Sequence, residues 1–327
     1  MISTKYKLGL GTFRLFLALC VAFSHLWEDM LPGPAAYAVW GFFVLSGFLM
    51  TLILTKKYGT SKQGIKNYAF NRFLRIYPSY FVASIAGFIV LMIYSARGWD
   101  TTCLNPAFIM PSTVSQWLGN IIMNPFGTYQ ELVPVAHALY VEVWAYMLMP
   151  FAARSKTAAW LGLIIVFLLN CQIGFHYDTF APRYSDFSSS ILGFFVGSLC
   201  LHYFDRLRKF SMPMLSVVVW CIHAMIWWFY DLWPWTHGLY VSLLISAWVV
   251  ISLFPIKVGE TDKLLGDMSY LVYLIHTTVG MCVFNIFGCR SLNFCLLSVA
   301  ITFLVSIIMI YAIERPLQNR FKIIIKK

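Results

Sequence analysis

Charge is what this chain has least of. Asp, Glu, Lys and Arg make up 11% of its 327 residues, against 60% hydrophobic residues and a mean hydropathy of +0.74. A water-soluble domain of that length would lack the polar surface to cover its core, so a soluble fold is excluded and the bilayer is the solvent. The eight cysteines are scattered, mostly within apolar runs, and form no CxxC pair, so no metal site or redox centre is expected. Cys103 and Cys289 fall in loops on the same expected side, but spacing alone does not join them in a disulfide. There is no low-complexity tract, soluble repeat or convincing inverted repeat. The first apolar run is not read as a cleaved signal peptide, because Glu28 and Asp29 follow it and no small-residue cleavage site does.

Long hydrophobic runs are abundant. Ten of about helix-spanning length lie at 9–27, 35–55, 77–95, 134–154, 157–174, 187–204, 212–230, 236–254, 266–287 and 291–313. They predict an all-α polytopic membrane protein of about ten transmembrane helices, forming a single membrane-embedded domain over 1–327. If the N-terminus is cytoplasmic, twenty of the 24 Lys and Arg residues fall in inner segments, from Lys5 and Lys7 to the five between Arg315 and Lys327. Only Arg97, Arg183 and Arg290 fall outside, and Arg14 lies within a span. This distribution obeys the positive-inside rule and places both termini in the cytoplasm. The net charge of +11 is then accounted for by orientation and lipid headgroups, with no nucleic acid implied. Trp27, Trp99, Trp233 and Trp235 near span ends fit an interfacial belt. The longest outer loop, 96–133, carries Pro106, Pro111 and Pro125 around an amphipathic stretch, Trp117 to Met123, that suits the interface or a re-entrant turn. The inner connection 56–76 is basic.

Several ionisable groups sit at membrane depth. Arg14 and His25 are eleven residues apart in the first run. At about 100° per residue they project from one helix face, about 16 Å apart along the axis. Such groups cost several kcal/mol unless they face the bundle interior or a wet cavity, which makes them functional candidates; the bland alternative is snorkelling to the two interfaces. Arg72 and Arg75 form an RxxR pair just before Tyr77 and Pro78. Two guanidinium groups one turn apart suit a polyanion, although they also serve as topology-setting cations. The second run carries Gly41 to Phe48 with Ser46 among aromatics, a packing motif when taken alone. The fourth carries His137, Tyr140 and Glu142, whose carboxylate must be protonated, paired or wet.

Taken in order, these segments resemble the acyltransferase-3 family of integral membrane acyltransferases. The resemblance rests on Arg14 with His25, GFFVLSGF at 41–48, RFLRIYP at 72–78, HALYVEVWAY at 137–146, LGDMSYLVYLIH at 265–276 and Glu314-Arg315-Pro316. The fourth segment departs from the pattern, with His137 and Tyr140 where many members have a Trp-Ser-Leu run. The family implies transfer of an acyl group, usually acetyl from acetyl-CoA, to a hydroxyl of an envelope carbohydrate or lipid-linked glycan, at the plasma membrane (the inner membrane in bacteria). The chain is similar to the stand-alone members that lack an SGNH-type domain, which favours a surface polysaccharide or glycolipid acceptor.

The expected mechanism places the acyl-CoA at a cytoplasmic mouth formed by Arg72, Arg75 and Arg14, with no permanently bound cofactor and no metal. The pantetheine arm reaches along the polar track to His25, nearer the outer face, where a carbohydrate or glycolipid hydroxyl arrives. A neutral imidazole is a natural general base there, and an acetyl-histidine intermediate is an open alternative. Ser46, Tyr140 or amides near Gly47 are candidate oxyanion donors. Glu142 orients the imidazole, holds the acceptor hydroxyl or pairs with a buried cation. His137 is a candidate acceptor contact. His276 is read first as a bundle histidine and second as a site residue, and Glu314-Arg315 as an internally paired helix stop. The reading from another class is a proton-coupled transporter or flippase with His25, Glu142 and His276 as its relay.

Overall fold

A computed structural model describes residues 9–30, 33–127 and 130–325, and the described residues contain helices and no strand. Lys5, Lys7, Lys326 and Lys327, which entered the orientation count, lie outside the described residues. In order, the helices are α1 (Leu10–Leu26), α2 (Gly33–Ile53), α3 (Lys62–Arg97), α4 (Val114–Ile122), α5 (His137–Arg154) and α6 (Lys156–Ile173). After them come α7 (Phe180–Ser185), α8 (Phe187–Ser190), α9 (Leu192–His202), α10 (Phe204–Leu207) and α11 (Pro213–Met225). The chain closes with α12 (His237–Leu253), α13 (Glu260–Phe287), α14 (Leu292–Met309) and α15 (Arg315–Ile325). All ten predicted apolar runs are helical. Among the described residues, five stretches are long and apolar enough to cross a bilayer, namely 33–58, 62–97, 156–173, 260–287 and 292–321. A sixth is added if Phe187–His202 and Phe204–Phe210, bent by 77°, are one span. Leu10–Leu26, Pro213–Trp228 and His237–Leu253 are apolar but shorter.

One boundary is corrected. The third helix begins at Lys62, not near Tyr77, so most of the basic connection is part of it. Ser61 caps its start by accepting from the Gly64 amide at 3.2 Å, and Gly98, at φ 66°, ends it in the left-handed region. Pro78, which lacks a backbone N–H, would be harmless in a first helical turn. It instead sits inside a 36-residue helix and removes one backbone bond without ending it. At 1.5 Å per residue α3 is about 54 Å long, well beyond the hydrocarbon thickness. Arg72 and Arg75 are therefore held by the same rigid rod as its apolar half.

The centre of the bundle is α2, whose sides are taken by α1, α9 and α12. Approach to α9 is close because of glycine. A Cβ at Gly47 would stand 2.1 Å from the Phe194 carbonyl oxygen, and one at Gly197 2.0 Å from that of Val44. Small residues at four-residue spacing, Gly193 and Gly197, give this contact as in other membrane helix pairs. α1 is locked to α13 differently. The Asp262 carboxylate accepts from the amides of Gly9, Gly11 and Thr12 at 3.1, 3.0 and 2.9 Å and from the Thr12 hydroxyl at 2.6 Å. It supplies from another helix the cap that α1 lacks locally. The outward faces of α3, α6 and α14 carry Ile85, Ile89 and Met92, Leu161, Ile164 and Leu168, and Leu304 and Ile308, all exposed at helical spacing. These are the lipid-facing stripes of a membrane protein.

The expected amphipathic stretch is α4. Thr113 and Gln116 form a capping box at its start, and its exposed Leu118, Ile121 and Ile122 lie opposite the buried Asn120. Asn120 ties the long loop together by donating to the Gln116 and Gln130 carbonyls and accepting from the Leu132 amide.

Candidate functional site: three cavities along the first helix

Three cavities follow one another from the basic end of the bundle, where α3 begins, towards the far end, where α1 finishes. The first is a cleft of about 830 Å³ between α3 and α5, lined by Lys66, Tyr68, Arg72, Tyr77, Tyr146 and neighbouring apolar groups. The second is a chamber of about 40 Å³ lined by Arg14, Ser46, Glu142, Tyr270 and Tyr273. The third is a vestibule of about 370 Å³ holding His25, Asn105, Glu131, His137 and Ser185. Their walls are shared. Tyr146 lines the cleft and donates its hydroxyl hydrogen to Glu142 in the chamber. Val39, Phe43, Ala138 and Tyr273 line both chamber and vestibule. Arg14 thus lines the chamber and His25 the vestibule beyond it.

The basic end carries a mixed cluster. Arg75 pairs with Asp267 at 3.5 Å, with both side chains about one-third exposed. The buried Glu314 accepts from the Ser79 hydroxyl at 3.3 Å, and Tyr270 donates to the Ile76 carbonyl at 2.9 Å. Arg14 lies within electrostatic reach of Arg75, Glu142, Tyr146 and Asp267. Arg72 donates to the Asn71 side chain at 2.7 Å. The Nε groups of both Arg14 and Arg72 are buried without a hydrogen-bond partner. A buried, unsatisfied guanidinium N–H costs free energy that an anionic ligand would recover.

At the far end, the rings of His25 and His276 stand 5.5 Å apart between centroids. His276 is fully buried, and its Nδ1 is 3.0 Å from the Val272 carbonyl, which can only accept. Nδ1 therefore carries the proton, and Nε2, which has no partner, presents a lone pair. Arg290 donates to the Ser24 carbonyl at 2.8 Å, closing α1 beside His25. The Nε2 of His137 is 2.8 Å from the Ser185 carbonyl.

Several expected associations are not formed. Glu142 does not orient His25; its carboxylate takes the hydroxyls of Ser46, at 2.6 Å, and Tyr146, in a different cavity. Ser46 is likewise in the chamber, and Tyr140 belongs to a network with Tyr80, at 2.8 Å, and Asn120, so neither lines the vestibule with His25. Arg72 and Arg75 do not line one cavity, since Arg75 is engaged by Asp267. Glu314 is not paired with Arg315, which lies over the Tyr311 ring at 4.3 Å. Of the relay residues, His25 and His276 adjoin, while Glu142 lines the chamber and not the vestibule with His25. Cys103 and Cys289 are both free, and the Cys103 sulfur lies 3.6 Å from that of Met281. Among the described residues no group of His, Cys, Asp or Glu is arranged to hold a metal ion.

The sequence reading passed over Tyr146, Asp267 and Glu131. Tyr146 follows Glu142 by four residues, the spacing of same-face neighbours, and that signal was available. Asp267 lies in the LGDMSY segment, but its partner is almost two hundred residues away.

An apolar helical bundle with buried cations at one end and an imidazole at the other fits a membrane enzyme. The profile of the family described as "Acyltransferase domain" matches residues 8–313, and the chain belongs to this acyltransferase-3 family and is an acyltransferase. A relative in Acidianus two-tailed virus, named "Putative acetyltransferase ORF330", is 26% identical over 295 residues, covering 84% of each chain. No solved structure matches.

Proposed function

We propose that this acyltransferase moves acetyl from cytoplasmic acetyl-CoA to a hydroxyl of a cell-surface polysaccharide or lipid-linked glycan, with His25 as the general base. In this reading the ten apolar helices are ten spans of the plasma membrane, and both termini are cytoplasmic. The observation that carries the reading is the row of cavities with shared walls, running from Arg72 through Arg14 to His25.

The polyanionic end of the donor docks in the cleft, where Lys66 and Arg72 supply positive charge. Arg14, half-buried beyond it, meets the thioester arm. The chamber is too small for that arm as it stands, so Phe43 and Tyr273 must swing aside for donor and acceptor to meet. His25 takes the proton from the acceptor hydroxyl as its oxygen attacks the thioester carbon. The carbon–sulfur bond then breaks, and the CoA thiolate takes up the proton from the imidazolium. His276, whose ring adjoins that of His25 and whose Nε2 is unpartnered, steadies the charged imidazolium. Glu142, fixed by Ser46 and Tyr146, offsets the charge of Arg14.

The test is mass analysis of surface glycans from cells with the wild-type chain, with none, and with His25→Ala at equal abundance. Increments of about 42 Da, the mass added by acetyl for hydrogen, are expected with the wild type alone, as for an enzyme lacking its base. Unchanged acetylation in the variant removes His25 as base.

A further inference from the structure

The vestibule holds one group that the acyl-transfer reading leaves unused. Glu131 lies in the connection between α4 and α5 and is only 2% exposed. Its own amide donates to the Ala107 carbonyl at 2.8 Å, and the amides of Ala136 and His137, at the start of α5, donate to its carboxyl group. Those bonds leave Oε1 buried with no partner. An orphaned buried oxygen is costly, and helix capping does not explain it.

Position supplies the explanation. Glu131 lines the vestibule beside His25 and also lines a neighbouring cavity of about 60 Å³ with Gln116, Asn124, Gln130 and Tyr140. The Gln116 and Asn124 carboxamide oxygens are engaged by local amides, of Ser112 and Thr113 and of Phe126 respectively. Their nitrogens, and that of Gln130, make no hydrogen bond among the described residues and remain as donors. No Lys or Arg lines either cavity, so neither suits a phosphate or carboxylate. Closely spaced amide donors, one carboxyl group and no cation fit a neutral, polyhydroxylated ring. Burial pushes the Glu131 carboxyl up to about 8, so near neutrality it carries a proton and can donate as well as accept.

We propose that Glu131 is an acceptor-binding residue whose unpartnered oxygen, between the His25 vestibule and the amide-lined pocket, hydrogen-bonds one hydroxyl of a neutral sugar and turns another towards His25. The proposal rests on the acyl-transfer reading for the second half of that sentence; the binding half stands by itself.

The test uses the full chain in a sugar-free detergent, lauryldimethylamine oxide. Dicyclohexylcarbodiimide, which converts protonated buried carboxyls to N-acylureas, is expected to label Glu131 at about pH 6.5 and much less at about pH 9. Octyl glucoside should lower that labelling at least about fivefold, whereas tetraethylene glycol monooctyl ether, with the same tail and no sugar, should not. No labelling, protection by neither compound or protection by both overturns the proposal. Glu131→Gln, which keeps a capping oxygen, should raise KM for octyl glucoside as acetyl acceptor about tenfold with KM for acetyl-CoA unchanged. A lower Tm with both KM values unchanged reduces Glu131 to a helix cap and also overturns it. Sugar-protected labelling in a protein that transfers no acetyl to any acceptor keeps the binding site and removes the transfer reading instead.

Discussion

Tyr146 and Glu142 stand one helical turn apart on α5, and the phenol of the first donates to the carboxylate of the second through the wall between cleft and chamber. Tyr146→Phe keeps the wall and deletes the bond. Glu142 then holds only Ser46, and its grip on the Arg14 charge loosens. The expected outcome is a drop of about tenfold in kcat, the scale of one hydrogen bond to a charged group, with KM for acetyl-CoA changed much less. Steady-state kinetics decides this. A change in KM alone would make Tyr146 a cleft residue only.

Arg72 and Arg75 should separate on substitution. Arg72 lines the cleft with a free Nε, so Arg72→Ala is expected to raise KM for acetyl-CoA about tenfold or more with little change in Tm. Arg75→Ala breaks a part-exposed pair with Asp267, and such pairs contribute about 0.2–1 kcal/mol. Its main effect should therefore be a small fall in Tm, matched by Asp267→Ala and not added to in the double variant.

His276 touches His25 and keeps a bare Nε2. His276→Phe fills the space and removes the lone pair. The expected loss is in kcat, about ten- to a hundredfold, with an altered pH profile and both KM values retained. A variant with the wild-type pH profile would return His276 to a packing role.

Asp262 caps α1 from α13, and its loss leaves three amides and a hydroxyl without their acceptor. Asp262→Ala is expected to cost about 2 kcal/mol, read as a lower midpoint in thermal or denaturant unfolding, with Asp262→Asn intermediate. Donor affinity should also fall, because α1 carries Arg14 one turn from the cap. Stability unchanged in Asp262→Ala would show that the cap is dispensable.

Much of this arrangement was legible in one dimension. Apolar runs set by bilayer thickness gave every long helix, and the eleven-residue step from Arg14 to His25 gave the polar face of α1. What escaped depends on contacts distant in sequence. The third apolar run begins at Tyr77, but the helix reaches back through the basic segment to Lys62, and a long rod that carries Pro78 is stabilised by its packing. Glu314 seemed matched by Arg315, its neighbour, yet the chain turns it towards Ser79. Glu131 carries no local signal, since nothing near it in sequence shows that Ala107 and the start of α5 enclose it. The pairing of Ser46 with Glu142 joins two recognised segments that are almost a hundred residues apart.

The wall of Val39, Phe43, Ala138 and Tyr273 has a meaning beyond the route of one reagent. A continuous wet bore from one side to the other would dissipate any ion gradient the cell maintains and expose an activated ester to hydrolysis. On the proposed route, four side chains that close the passage at rest would let the two halves fill separately, in the manner of a canal lock. Catalysis and insulation are then demands on the same few rings, and shaving one of them down should leave a protein that still turns over but leaks.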